Sequence, residues 1–295
     1  VVDGNTAETY GGGISALSAS IVTVSLGASL DMLNNKAMKN GGGFYFQDDG
    51  TGFTMFGEGT KVVVDSNTAE TYGGGVCALL DSTVIVSSGA RLSLSNNKAM
   101  TRVGGGFYQG TNTRLDVTGD GTKVLVDANI AETGGGGMVA NSASTVTVSS
   151  GASFVVSNNV AKEDVGGGIL LGGLGTRLDV NGQKTQLVVR TNIAKKNGGG
   201  VAIQMGAVVR VTAPSAFHGN TATEGFGGGV AYDTSSATDD GGSNCVRLSL
   251  YVKIDGDKNV DKNGNEWSGN IGEGMKIFTE PNSPLSSLNE RSAIA

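Results

Sequence analysis

Proline, cysteine and histidine are almost missing from this chain. Its 295 residues hold three prolines, two cysteines and one histidine. Two of the prolines, Pro281 and Pro284, lie close to the C-terminus. A body so poor in proline suits stacked strands, where each proline would delete a ladder hydrogen bond. Two cysteines cannot build a disulfide scaffold. With His218 as the sole imidazole, no Ser/His/Asp set can be assembled around it, and no His/Cys metal cluster is in sight. Positive charge is also short: the net charge is -6 and the pI about 4.9. Such a chain has no electrostatic reason to bind nucleic acid or anionic lipid. No apolar run reaches 18 residues, so no direct membrane insertion is expected, and no signal-peptide pattern is present. The 23 asparagines include no Asn-x-Ser/Thr acceptor.

Glycine and a repeat are present in abundance. The 50 glycines cluster once per repeat instead of in collagen register. Each cluster follows an Asn-x-Ala motif, whose asparagines are Asn5, Asn35, Asn67, Asn97, Asn129, Asn159, Asn192 and Asn220, with a degenerate copy at Asn270. Their spacing runs from 28 to 33 residues before the last copy. A fixed short period means one structural unit stacked on itself.

Within each repeat the apolar residues alternate. Three positions before the asparagine stand Val2, Met32, Val64, Leu94, Val126, Val156, Val189 and Phe217, and five before it stand Leu30, Val62, Leu92, Val124, Phe154 and Leu187. That is a strand with one buried face. An earlier strand carries inward pairs such as Val84/Val86 and Leu115/Val117, and a further strand opens after each glycine run with Ile14, Phe44, Val76, Phe107, Met138, Ile169, Val201 or Val230. Three strands per coil of about 31 residues predict an all-β chain folded as a parallel β-helix of eight to nine coils. The coils alternate in type, and residues 5–13 and 67–75 are identical. The expected division is 1–232 for the coils, 233–266 for a polar insertion and 267–295 for a degenerate coil and tail.

Phe217-His218-Gly219-Asn220 and Gly73-Gly74-Gly75-Val76 resemble the Phe-x-x-Asn and Gly-Gly-Ala-Ile motifs of polymorphic outer-membrane proteins and related autotransporter passengers. Trp267-Ser268-Gly269-Asn270 is close to the first motif. The aromatic is usually Val, Leu or Met here, and Gly-Gly-Gly replaces Gly-Gly-Ala. The resemblance implies a right-handed parallel β-helix and a secreted or surface-exposed rod used for adhesion or structure.

The asparagine column is expected to form a structural ladder along the axis, since an amide both donates and accepts. The residue two past each glycine run is expected to point outward. It reads Ser15, Tyr45, Cys77, Tyr108, Val139, Leu170, Ala202 and Ala231. An exposed, mostly apolar column marks an interface, and Tyr45, Cys77, Tyr108, Val139 and Leu170 are its candidate residues; cover by a loop or the tail is the alternative. Cys77 and Cys245 lie about five coils, roughly 24 Å, apart, so both are expected to be free thiols. Asp255, Asp257, Asn259, Asp261 and Glu266 place oxygen ligands at calcium-like spacing. Val260 stands where such a loop needs glycine. Calcium is therefore the one cofactor weighed, against a solvated loop. For catalysis, only the outward Asp116 and Asp179, two coils apart, are spaced like an inverting carboxylate pair.

Val1-Val2-Asp3-Gly4-Asn5 aligns with Val63-Val64-Asp65-Ser66-Asn67, so the first residues read as the inside of a coil. An open β-helix end invites addition of another subunit. The expected function is a non-catalytic extracellular structural rod, a subunit of a surface filament or a surface adhesin, with self-association as the partner mode. A ligand- or carbohydrate-binding passenger domain and a polysaccharide lyase or hydrolase are the other two readings.

Overall fold

A computed structural model describes residues 1–232 and the strands Val246–Leu248, Val252–Lys253 and Ile271–Glu273. Asn270, Cys245 and the five candidate calcium ligands lie outside the described residues. One coil shows the plan. Its first strand is Val76–Leu79, its second Thr83–Ser87, its third Arg91–Ser95 and its fourth the two-residue Lys98–Ala99. Each strand pairs in parallel with its equivalents in the coils above and below, as in Val76 with Phe44 and Phe107. The chain is a parallel β-solenoid of four sheets, two of nine strands and two of eight. The expectation of three strands per coil misses the fourth, which is built on the Asn-x-Ala motif itself. Two residues are too few to show an apolar period. Within 233–266, Val246–Leu248 pair with Val209–Val211 and Val252–Lys253 with Ser215–Ala216, so part of that segment continues the coil ladder.

The alternation read from the sequence fills the lumen. Val62, Val64, Leu92, Leu94, Val124, Val126, Phe154, Val156, Leu187 and Val189 are all buried in one core that runs the length of the coils. Phe44, Phe46 and Phe53 pack ring against ring, with centroids 5.3 to 6.0 Å apart. Each fully buried side chain of this size contributes about 1.5–3 kcal/mol. Gln109 is an exception. It is wholly buried, and neither its Oε1 nor its Nε2 has a hydrogen-bond partner.

The asparagine ladder closes its hydrogen bonds completely. Asn97 Oδ1 accepts from the backbone N–H of Asn67 at 2.9 Å and from Asn67 Nδ2 at 3.0 Å. Asn97 Nδ2 donates to Asn129 Oδ1 at 3.0 Å and to Val64 O at 2.8 Å. Two donors and two lone pairs are the whole capacity of the amide. Each asparagine therefore ties its own coil to both neighbours. The same bonds recur from Asn5 to Asn220. Asn67, Asn97, Asn129, Asn159, Asn192 and Asn220 show no exposure at all. The residue before each asparagine turns the chain inward with φ between 52° and 67°, at Gly4, Asn34, Ser66, Asn96, Ala128, Asn158, Thr191 and Gly219. That conformation costs non-glycine residues roughly 1–2 kcal/mol, which the ladder offsets.

The glycine run is the other half of the ladder, and its three positions are small for three reasons. Gly104 has φ +73. A Cβ on Gly105 would collide with the backbones of Gly136 and Ile130. One on Gly106 would lie 2.7 Å from Gly137 O and 2.9 Å from Asn129 Nδ2. Replacement of Gly-Gly-Ala by Gly-Gly-Gly thus lets the backbone close on the amides.

The two-coil alternation also has a hydrogen-bond basis. Thr60, Thr122 and Thr185 Oγ1 accept from the Gly27, Gly89 and Gly151 N–H groups of the preceding coil at 2.9 to 3.0 Å. Asn34, Asn96 and Asn158 Nδ2 donate to Asp3, Asp65 and Asp127 at 2.8 to 2.9 Å. Each coil type supplies the group the other lacks.

Asn97→Ala orphans the Asn67 N–H and one bond to Val64 O, and should cost on the order of 2–4 kcal/mol in denaturant unfolding. Asn97→Asp sets a second oxygen against Val64 O and Asn129 Oδ1. Burial then raises its folded pKa above the unfolded value near 3.9. The variant's deficit should widen as pH rises through about 4 and level off above the folded pKa. Equal stability of Asn97→Asp and the parent chain at pH 7 would contradict the ladder's role.

Candidate functional site

The column weighed as an interface is largely covered, which is the alternative the sequence left open. Tyr45, Cys77 and Val139 are 1 %, 0 % and 2 % exposed, and Ala202 and Ala231 are also buried. Tyr108 and Leu170 keep partial exposure, and Ser15 in the first coil is exposed. The first strand does point these residues away from the lumen. What covers them is the segment between the Asn-x-Ala motif and the glycine run. Tyr10 stacks on Tyr45 with centroids 4.5 Å apart, and Tyr72 stacks on Tyr108 at 4.6 Å. Lys39 lies 5.6 Å over the Tyr10 ring, and Arg102 is at the same distance over Tyr72. Arg102 also donates to Tyr72 Oη at 3.0 Å. Further along, buried Val165 continues the cover beside Gly134, near Leu170. The apolar column is a second, narrow core outside the lumen. Its lids were readable in the sequence: Tyr10 and Tyr72 sit directly before their glycine runs with the same two-coil spacing as Tyr45 and Tyr108.

Burial sets the chemistry of this column. It pushes the Cys77 thiol far above its ordinary value. Tyr108 is raised to about 12, by burial first and by the neighbouring Cys77 and Tyr72 next. Burial likewise raises Tyr45, with Cys77, Tyr10 and Asp48 adding to it. Such groups stay protonated at neutral pH and serve as packing. Cys77 is a free thiol, and a thiol held protonated is a poor nucleophile.

The two aspartates weighed as a carboxylate pair are each occupied within their own strand. Arg114 Nε lies 2.6 Å from Asp116 Oδ2, and Arg177 Nε lies 3.6 Å from Asp179 Oδ2. Thr147 stands between them in the sheet. On another edge, Lys162, Lys195 and Lys196 pair with Glu132, Glu163 and Asp164 at 2.7 to 3.3 Å. These exposed pairs contribute little to stability each. Among the described residues no three His, Cys, Asp or Glu side chains converge on a metal position. None of the described elements is a helix long and apolar enough to cross a membrane.

The native chain should leave Cys77 unmodified by a maleimide at pH 7.5, as read by peptide mass mapping, and expose it fully in denaturant. Native labelling at the rate of a free thiol would contradict the burial of the column.

No protein-family model matches the chain, and no solved structure matches it. Two curated relatives do. The chain is 34% identical over 128 residues to the probable outer membrane protein pmp20 of Chlamydia pneumoniae, covering 43% of this chain and 7% of that protein. It is 26% identical over 220 residues to the probable outer membrane protein pmp21 of the same organism, covering 66% of this chain and 13% of that protein. The chain thus spans a small part of the length of either relative. The chain is thus similar to polymorphic outer-membrane proteins of Chlamydia, and its Asn-x-Ala and glycine-run coils are stacked as a parallel β-solenoid.

Proposed function

We propose that this chain is a length of a non-catalytic rod displayed at a cell surface, where it serves as a structural or adhesive element of a surface filament or adhesin. Two observations support that reading. The relatives are outer membrane proteins by name. The carrying observation is where the polar side chains go. The asparagines, threonines and turn aspartates spend their hydrogen bonds from coil to coil. A molecule so organised is built to be long and stiff, and it offers a partner extended faces in place of a pocket.

The polysaccharide lyase or hydrolase reading has less support. Asp116 and Asp179 repeat because the coil repeats, and each is ion-paired to an arginine two residues before it. An acid–base pair needs one carboxyl poised to donate and the other to accept. Here each aspartate is held by an arginine of its own strand, and Thr147 stands between the two.

Antibodies raised against the folded chain should label intact, unpermeabilised source cells by immunogold electron microscopy. In parallel, the purified chain should release no reducing ends or unsaturated products from a panel of acidic and neutral polysaccharides. Labelling seen only after permeabilisation would sink the surface reading, and steady product release would sink the non-catalytic one.

A further inference from the structure

The three long sheets present different outer faces. That of the first strands is covered by the tyrosine and valine lids. The middle column of the second strands is mostly polar: Thr23, Thr54, Ile85, Asp116, Thr147, Asp179 and Arg210. The third strands differ from both. Their middle column reads Val63, Ser93, Leu125, Val155 and Val188 over five successive coils, in register. These side chains stay half-exposed among the described residues. Four of the five are aliphatic on a face that alternation alone would make polar.

Along its first three coils this stripe has charged edges of opposite sign, while the next two coils carry Ser153 and Gln186 on one side and Ser157 and Arg190 on the other. Two residues before it run Lys61, Arg91 and Lys123, all exposed, and two residues after it run Asp65, Ser95 and Asp127. Each edge lies about 7 Å from the stripe, at roughly 3.3 Å per residue. The aspartates are held in place from within the molecule. Asn96 and Ser66 bond to Asp65, and Ser157 and Asn158 bond to Asp127.

From this arrangement we propose that the outer face of the third-strand sheet is a self-association surface that takes a second copy of this chain, side by side and parallel, about a two-fold axis along the rod. The charge pattern selects that axis. Rotation about the rod axis places the basic edge of each copy against the acidic edge of the other, at the same coil level. Lys61 then faces Asp65 of the second copy, and Lys123 faces Asp127. A two-fold across the rod sets lysine against lysine and aspartate against aspartate, which is repulsive. Under the rod-axis operator the stripe meets itself, and Leu125 lies opposite its own copy, as a self-complementary interface requires. Five coils of five-residue strands give a footprint on the order of 400 Å² per copy, about half that of a standard stable interface. The contact is therefore weak for this length of chain, and it grows with every added coil of the same pattern. This inference goes beyond the surface-rod reading and does not depend on it.

Equilibrium sedimentation of the full 295-residue chain up to about 1 mM tests the proposal. It predicts a reversible dimer that weakens as salt rises from 50 to 500 mM, because edge charges are screened. Lys61→Glu with Lys123→Glu should raise the dimer Kd at least tenfold, with the thermal midpoint of the monomer unchanged. In a Cys245→Ser background, Leu125→Cys should cross-link to itself with a short bis-maleimide. A chain that stays monomeric at 1 mM overturns the proposal and leaves the stripe to some other partner. An unchanged Kd after charge reversal overturns the edge pairing, and a dimer in which Leu125→Cys does not cross-link overturns the rod-axis two-fold.

Discussion

The fold depends on a side-chain amide that repeats once per coil and, from Asn67 to Asn220, has no exposure to water. Burying an amide is costly unless every donor and acceptor finds a partner. Here the partners are the amides of the adjacent coils and the backbone beside them. The solution works only when coils are stacked, since a single coil would leave the asparagine half satisfied. It also explains the glycines. To reach the ladder, the next stretch of backbone must run against the amides with no side chain between, and the last glycine of the run does so at Gly75, Gly106, Gly137, Gly168 and Gly200. The left-handed residue before each asparagine is the third part of the same device, because it turns the amide inward. Motif, glycine run and turn are one structural unit.

Stacking makes stability approximately local. Each coil contacts its neighbours, so the molecule is a one-dimensional array of coils and interfaces. Two such interfaces alternate here, one closed by threonine hydroxyls at a turn and one by Asn–Asp bonds at another. Asp65 shows how finely this edge is balanced. Burial works to raise its carboxyl, but hydrogen bonds from Asn96, Ser66 and Ser95 outweigh that and hold it below the usual carboxylate range. A carboxylate with a lowered folded pKa adds stability that is present above the unfolded value near 3.9 and is lost as pH falls through the folded one.

Much of this was legible in the sequence, and the failures are physical. The long strands were readable because their inward residues alternate over five positions. The ladder was readable because a lone amide at fixed spacing has little else to do. The fourth strand was not, since two residues carry no period and one of them is alanine. Outwardness of the Tyr45–Cys77–Tyr108 column was inferred correctly, but exposure does not follow from it. Whether a face meets water depends on where the neighbouring turn lies, and strand parity is silent on that. Tyr10 and Tyr72 carried the missing signal in their shared spacing. The aliphatic stripe at Val63, Leu125, Val155 and Val188 was hidden differently: runs such as Val62-Val63-Val64 read as core, although alternation sends their middle residue outward. Gln109 follows from none of these patterns, and the structure supplies no partner that accounts for it.

Treating the ladder as the central constraint makes one observable decisive. Native-state hydrogen exchange, followed by NMR on the Nδ2 protons of Asn67, Asn97, Asn129 and Asn159, reports directly whether these amides are locked. If the ladder holds the coils together, those protons exchange only through large-scale unfolding, as slowly as the amides of the third strands. The turn amides of Asn34, Asn96 and Asn158, which bond aspartates at the surface, exchange much faster. Ladder protons that exchange as fast as the turn amides would mean that the asparagines merely line the turn and that something other than the ladder holds the coils together.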